Sequence, residues 1–165
     1  TKKRNTVSPG SVPKGELDEA AVTFRQAEML LRQMFNCYES DPGSIRIMTH
    51  FPVEQHRQRR RANYQRLLDR FPQTQFCSPV FPELDEVSVP SHFTVLAEDR
   101  DALQTFLLDQ GIHTTAYWGK SPLADTSRCP QAQYIYDHVL SLPCDQRYTP
   151  DDMERIAGAL CRLYK

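Results

Sequence analysis

The chain has 165 residues, 39% of them hydrophobic, and a formal net charge of −1, which gives enough length for one domain with a core and too little positive charge for a general nucleic-acid or membrane-surface binder. It holds no apolar run of about 18 residues to span a membrane, and its polar start carries no signal core, so a cytoplasmic location is expected. Five scattered cysteines (Cys37, Cys77, Cys129, Cys144 and Cys161), with no CxxC pair, fit reduced thiols better than a disulfide frame or a zinc site.

Residues 1–15 are basic and then rich in Ser, Pro and Gly, and read as loop or tail. Residues 16–38 predict the first helix, with Leu17, Ala20, Ala21, Phe24, Ala27, Leu31, Met34, Phe35 and Tyr38 on one stripe. That stripe is expected to face a core, in this chain or beyond it. Residues 39–52 read as turn, centred on Asp41-Pro42-Gly43, and His50 as a structural histidine. Residues 53–71 predict a second long helix with Val53, Arg57, Arg60, Tyr64, Leu67, Leu68 and Phe71 near one face. Its six arginines (Arg57, Arg59, Arg60, Arg61, Arg66 and Arg70) leave a basic exposed side, suited to an acidic partner or a phosphate more than to nucleic acid.

Residues 72–90 are a Pro-rich connection, and the domain boundary is placed at its start, giving segments 1–71 and 72–165. From Ser91 the pattern becomes strand, helix, strand, helix, strand, helix. Phe93, Val95 and Ala97 alternate along the first strand, Asp99 caps a helix that Gly111 ends, and Ile112–Trp118 reads as a second strand. Pro130 opens a short helix to His138, and Val139–Leu142 is a brief buried strand stopped by Pro143. Thr149, Pro150, Asp151 and Asp152 then open a last helix whose apolar face is Met153, Ile156, Ala157, Leu160 and Leu163. The expected fold class is α/β (α+β): a small mixed sheet covered by helices and preceded by two long helices.

No Gly-rich phosphate loop, HExxH or GxSxG occurs, and no self-contained catalytic constellation is visible. Tyr117, Trp118 and Lys120, at a strand end entering a loop, are candidates for ligand contact, or else an aromatic plug at the sheet edge. The turn Asp145, Gln146, Arg147 and Tyr148 reads as a latch of the fold or as a site, with Arg147 the residue set toward a cleft.

Arg100-Asp101 with Leu103, Gly111-Ile112, and Leu140 to Pro143 before a capped helix resemble the C-terminal small domain of DegT/DnrJ/StrS-type aminotransferases, and Arg60-Arg61-Ala62-Asn63-Tyr64 resembles the helix that leads into it. The resemblance runs over roughly residues 53–163. It implies the C-terminal part of a longer fold type I enzyme that uses pyridoxal 5′-phosphate to move an amine from an amino donor to a keto-sugar nucleotide, as a homodimer. It also implies a Schiff-base lysine ahead of the helix pair, where Lys2 or Lys3 stands before Ser8-Pro9-Gly10; Lys3 is the catalytic candidate. Where the family often has a His-Tyr pair, this chain has Tyr117-Trp118, which implies a different substrate choice. The alternative is a non-enzymatic α/β module that docks an acidic partner through helix 53–71.

Overall fold

The structure, a computed structural model, describes residues 14–35, 39–117, 119–121 and 123–164. Lys2, Lys3 and Trp118 lie outside the described residues. The contacts divide the chain into two compact units, one reaching to Val53 and the other running from Glu54 to the end.

In the first unit, α1 (Lys14–Met34) forms where a helix was expected. Its described apolar side chains do not enter a core: Val22, Phe24, Met29, Leu30 and Leu31 are exposed, Leu31 at 60%. The stripe follows helical spacing, but spacing alone says nothing about whether a partner surface exists. A second helix, α2 (Pro42–Thr49), replaces the expected turn. Asp41 explains it. Its side chain accepts from the Ser44 amide at 2.8 Å as an N-cap, and Pro42 takes a first-turn position where its missing N–H costs no bond. The same Asp-Pro-Gly string satisfies a turn and a helix start alike. His50 is tied locally, its Nδ1 lying 2.9 Å from the Arg46 carbonyl.

The second unit is built on a three-stranded sheet in the order β1 (Cys77–Pro79), β2 (His92–Ala97), β3 (Val139–Pro143). Both ladders are antiparallel, with Cys77 opposite Ala97 and Phe93 opposite Leu142. The helix-covered α/β fold is therefore as expected, but the sheet among the described residues is antiparallel and not mixed. The expected strand Ile112–Trp118 is reduced to a single bridge, Thr115 to Ser141. Ile112 leaves that segment to bury fully in the core. Strand β1, inside the Pro-rich connection, is too short to leave a sequence pattern.

Alternation on β2 sends Phe93, Val95 and Ala97 inward and leaves His92, Thr94 and Leu96 on the half-covered face. The inward side meets Tyr64 and Leu67 from α3 (Val53–Arg70), Leu103 and Leu107 from α4 (Arg100–Asp109), and Met153, Ile156 and Leu160 from α6 (Pro150–Leu163). Phe93 lies at the centre, its ring 4.8 Å from that of Tyr64 and 5.8 Å from that of Phe71. So α3 packs into the same core as the sheet, and the contacts part after its first residue, Val53. Helix α5 (Pro130–His138) has no buried residue.

Helix termini follow the sequence closely. Asp99 accepts from the Ala102 amide at 2.9 Å to start α4, and beyond its end Gly111 takes φ of 70°, a conformation that penalises a Cβ. Thr149 and Asp152 form a reciprocal capping box at α6.

Candidate functional site

Two polar side chains of α3, Asn63 and Arg60, reach across the fold to the turn after β3. Asn63 of α3 is 1% exposed, and its amide nitrogen donates to the carbonyls of Cys144 (3.2 Å), Asp145 (3.1 Å) and Tyr148 (3.1 Å). Its own carbonyl oxygen has no hydrogen-bond partner. A flipped amide would set that oxygen against three others, so the network fixes the orientation. The turn is a latch, as one reading of the sequence held.

The latch presents side chains outward. The Arg147 amide and Nε both donate to Asp145 Oδ1 at 2.9 Å, and Nη2 donates to Oδ2 at 2.6 Å. Asp145 is 8% exposed, whereas the Arg147 side chain is 44% exposed. Burial alone would raise the Asp145 pKa, but the hydrogen bonds and charge of Arg147, with the charge of Arg60, outweigh it and hold the carboxyl below its ordinary value. The same hydrogen bond from Asp145 raises the pKa of Arg147. Arg60 of α3 donates from Nε to Gln146 Oε1 at 2.6 Å.

His92 opens β2 opposite Pro143 and so stands beside this turn. Burial lowers its pKa, and the positive charges of Arg60 and Arg147 act in the same direction against the attraction of Asp145, so the imidazole is neutral at pH 7. Tyr117 covers it, with ring centroids 4.4 Å apart, and stays 42% exposed. On the other side His92 borders an open groove of about 480 Å³ lined also by Tyr64, Phe81, Leu84, Val89 and Pro90. The groove's loop is tied to α3: Arg61 Nη1 donates to the Ser88 carbonyl at 2.5 Å and the Tyr64 hydroxyl to that of Phe81 at 2.8 Å.

Of the expected site residues, Tyr117 thus packs on His92, which no sequence signal marked, and Arg147 acts on it by charge. Lys120 is engaged elsewhere: its Nζ donates to Thr126 Oγ1 at 2.6 Å and to Gln133 Oε1 at 2.8 Å, tying its loop to α5. Most arginines of the basic helix have partners within the fold, although Arg59, Arg66 and Arg70 stay exposed. Besides Arg60 and Arg61, Arg57 meets Glu54 and the Glu86 carbonyl, and Arg66 and Arg70 share Glu154. Among the described residues no group of three His, Cys, Asp or Glu is placed to hold a metal, and no helix is long and apolar enough to cross a membrane.

A sequence profile of the DegT/DnrJ/EryC1/StrS aminotransferase family matches residues 48–161. The chain belongs to that family. The match spans the whole second unit up to α6, with the polar turn inside it. Solved structures share the fold. DesV from S. venezuelae, in complex with a ketimine intermediate, is 23% identical with a TM-score of 0.63 over 68% of this chain and 33% of its own. The sugar aminotransferase CalS13 from Micromonospora echinospora is 19% identical with a TM-score of 0.56, over 66% of this chain and 31% of its own. Spr1654 from Streptococcus pneumoniae in its PLP-form is 16% identical with a TM-score of 0.60, over 71% and 33%. The chain therefore spans about one third of the length of these family structures. Curated proteins yield no match.

Proposed function

We propose that this chain is the small-domain portion of a pyridoxal-phosphate-dependent aminotransferase acting on a keto-sugar or its nucleotide, and that its own part is to present the His92–Tyr117–Arg147 edge to the substrate. The observation that carries this reading is the family match over residues 48–161, the same residues that fold into the sheet and its polar turn. The PLP-form of Spr1654 and the sugar aminotransferase CalS13 support the cofactor and the substrate class.

In such an enzyme the cofactor supplies the amine-carrying chemistry and the protein supplies binding and orientation. The described residues do not build a cofactor anchor. Lys120, the one lysine whose side chain is described, is held by Thr126 and Gln133, and Asp145 is engaged by Arg147. What they do fit is the substrate side: an oriented guanidinium, an exposed phenol and a neutral imidazole. The anchoring lysine is proposed to be Lys3, on the strength of the family resemblance, and the active form a homodimer of the longer protein in which this third alone does not transaminate. The second reading, an acidic partner docked on α3, has less support because five of its six arginines, all but Arg59, have a partner among the described residues.

The test is to titrate the chain with pyridoxal phosphate, reduce with borohydride and map the adduct by mass spectrometry. A single adduct at Lys3, lost in Lys3→Ala, is expected. Labelling spread over several lysines, or unchanged by Lys3→Ala, overturns Lys3 as the anchor.

A further inference from the structure

We propose that Arg60 and Arg147 form a seat for an oxyanion, a phosphate or a carboxylate, on the turn that follows β3. The two guanidiniums come from distant parts of the chain to adjoining residues of this turn, and both act by charge on Asp145 and His92. Arg60 comes from α3 and bonds Gln146, and Arg147 extends from the next residue. A guanidinium carries five N–H donors. Asp145 accepts from Nε and Nη2 of Arg147, and Nη1 has no partner among the described residues. Gln146 accepts from Nε of Arg60, and neither terminal nitrogen of Arg60 has a partner among them. Arg147 is thus held by one edge and Arg60 by one atom, and their remaining donors have no partner among the described residues. Planar forks of this kind match the paired oxygens of carboxylate and phosphate.

Charge points the same way. Asp145, 8% exposed, is bonded by Arg147 alone and feels Arg60 only through its charge, so two positive groups are set against one carboxylate.

The seat is also built in advance of any ligand. Asn63, buried in the unit, fixes the backbone of residues 144–148 through three carbonyls. Asp145 fixes Arg147 through two contacts of its guanidinium. Little ordering is left to be done when an anion arrives, and preorganised donors bind more tightly for that reason. This inference rests on the reading of the turn as a substrate-facing edge and on nothing about the cofactor.

The experiment follows the backbone amide signals of residues 145–148 by nuclear magnetic resonance at low ionic strength, titrating the chain with inorganic phosphate, with acetate and with chloride. Saturable shifts with phosphate or acetate, and weaker ones with chloride, are expected. Tighter phosphate binding assigns a phosphoryl ligand and tighter acetate binding a carboxylate. Arg60→Gln, which leaves the Asp145–Arg147 pair intact, is expected to weaken binding about tenfold or more, and Asp145→Asn with Arg147→Gln to do likewise without leaving a buried charge unpaired. Shifts no more saturable than with chloride, or unchanged by Arg60→Gln in a protein with a native amide spectrum, overturn the seat. No cofactor enters this experiment, so its failure leaves the aminotransferase reading standing, and failure of lysine labelling leaves the seat standing.

Discussion

Replacing Asn63 removes the clamp at one atom. Its two N–H groups serve three carbonyls at 3.1 to 3.2 Å, all in a side chain that is 1% exposed. The Asp145 carbonyl keeps the Tyr148 amide at 3.1 Å, so two acceptors, those of Cys144 and Tyr148, lose this donor at roughly 1–3 kcal/mol each. Loss of the unpartnered Oδ1 returns part of that. Asn63→Leu is therefore expected to destabilise by about 2–4 kcal/mol, a large share of the roughly 5–15 kcal/mol typical of a domain. With a urea dependence of about 1–3 kcal/mol per molar, the unfolding midpoint falls by about 1–2 M, read by circular dichroism. Asn63→Asp keeps the shape and sets a carboxylate against the carbonyls, so its folded pKa is raised. Its deficit is greatest at neutral pH and shrinks as the pH falls toward about 4, where the unfolded carboxyl also gains its proton. An Asn63→Leu midpoint equal to wild type, or an Asn63→Asp deficit that does not change with pH, refutes the clamp.

Three further outcomes follow from other parts of the unit. Thr149→Ala removes one arm of the α6 capping box and should cost about 1 kcal/mol in the same urea titration, whereas Thr149→Ser should restore most of it. The His92 imidazole should titrate below its ordinary value of 6.5 by nuclear magnetic resonance. Because the unfolded chain then binds the proton more readily, His92 contributes stability that is present above pH 6.5 and is lost as the pH falls toward the folded pKa; a flat stability across that window contradicts it. Burial pushes the Cys77 thiol to about 11 and the Cys144 thiol to about 12, so both should react with a thiol reagent only on unfolding, while exposed Cys129 reacts in the native protein.

Elements whose limits are set by local chemistry were legible in the sequence. Thr149, Pro150 and Asp152 mark the start of α6, Asp99 and Gly111 frame α4, and alternation identifies β2. Elements decided by distant partners were not. The segment from Ile112 has strand-like residues, but whether it pairs depends on β3, and the backbone grants it one bridge. The stripe on α1 was read correctly as a helix face, but it meets no core among the described residues, because periodicity carries no information about what lies opposite. At the site, Arg147 and Tyr117 were visible as polar and aromatic residues next to strands. His92 was hidden as an ordinary outward position on β2, and Asn63 as one polar residue on a polar helix. Only the fold shows that one reaches the turn sideways and the other from beneath it.

The clamp has a consequence for the order in which this unit is made. Asn63 stands near its start, and the carbonyls it holds belong to residues 81 to 85 positions later. Strand β2 likewise waits for β3, with Phe93 opposite Leu142. Such pairings close long loops before they gain contacts, which slows folding. During synthesis the helix, the first two strands and α4 leave the ribosome with the central position of the sheet exposed along one edge. The core is complete only once Leu160 of α6 has arrived, so the unit folds as one piece, late, and a chain halted before β3 presents the unpaired edge of β2 to its neighbours.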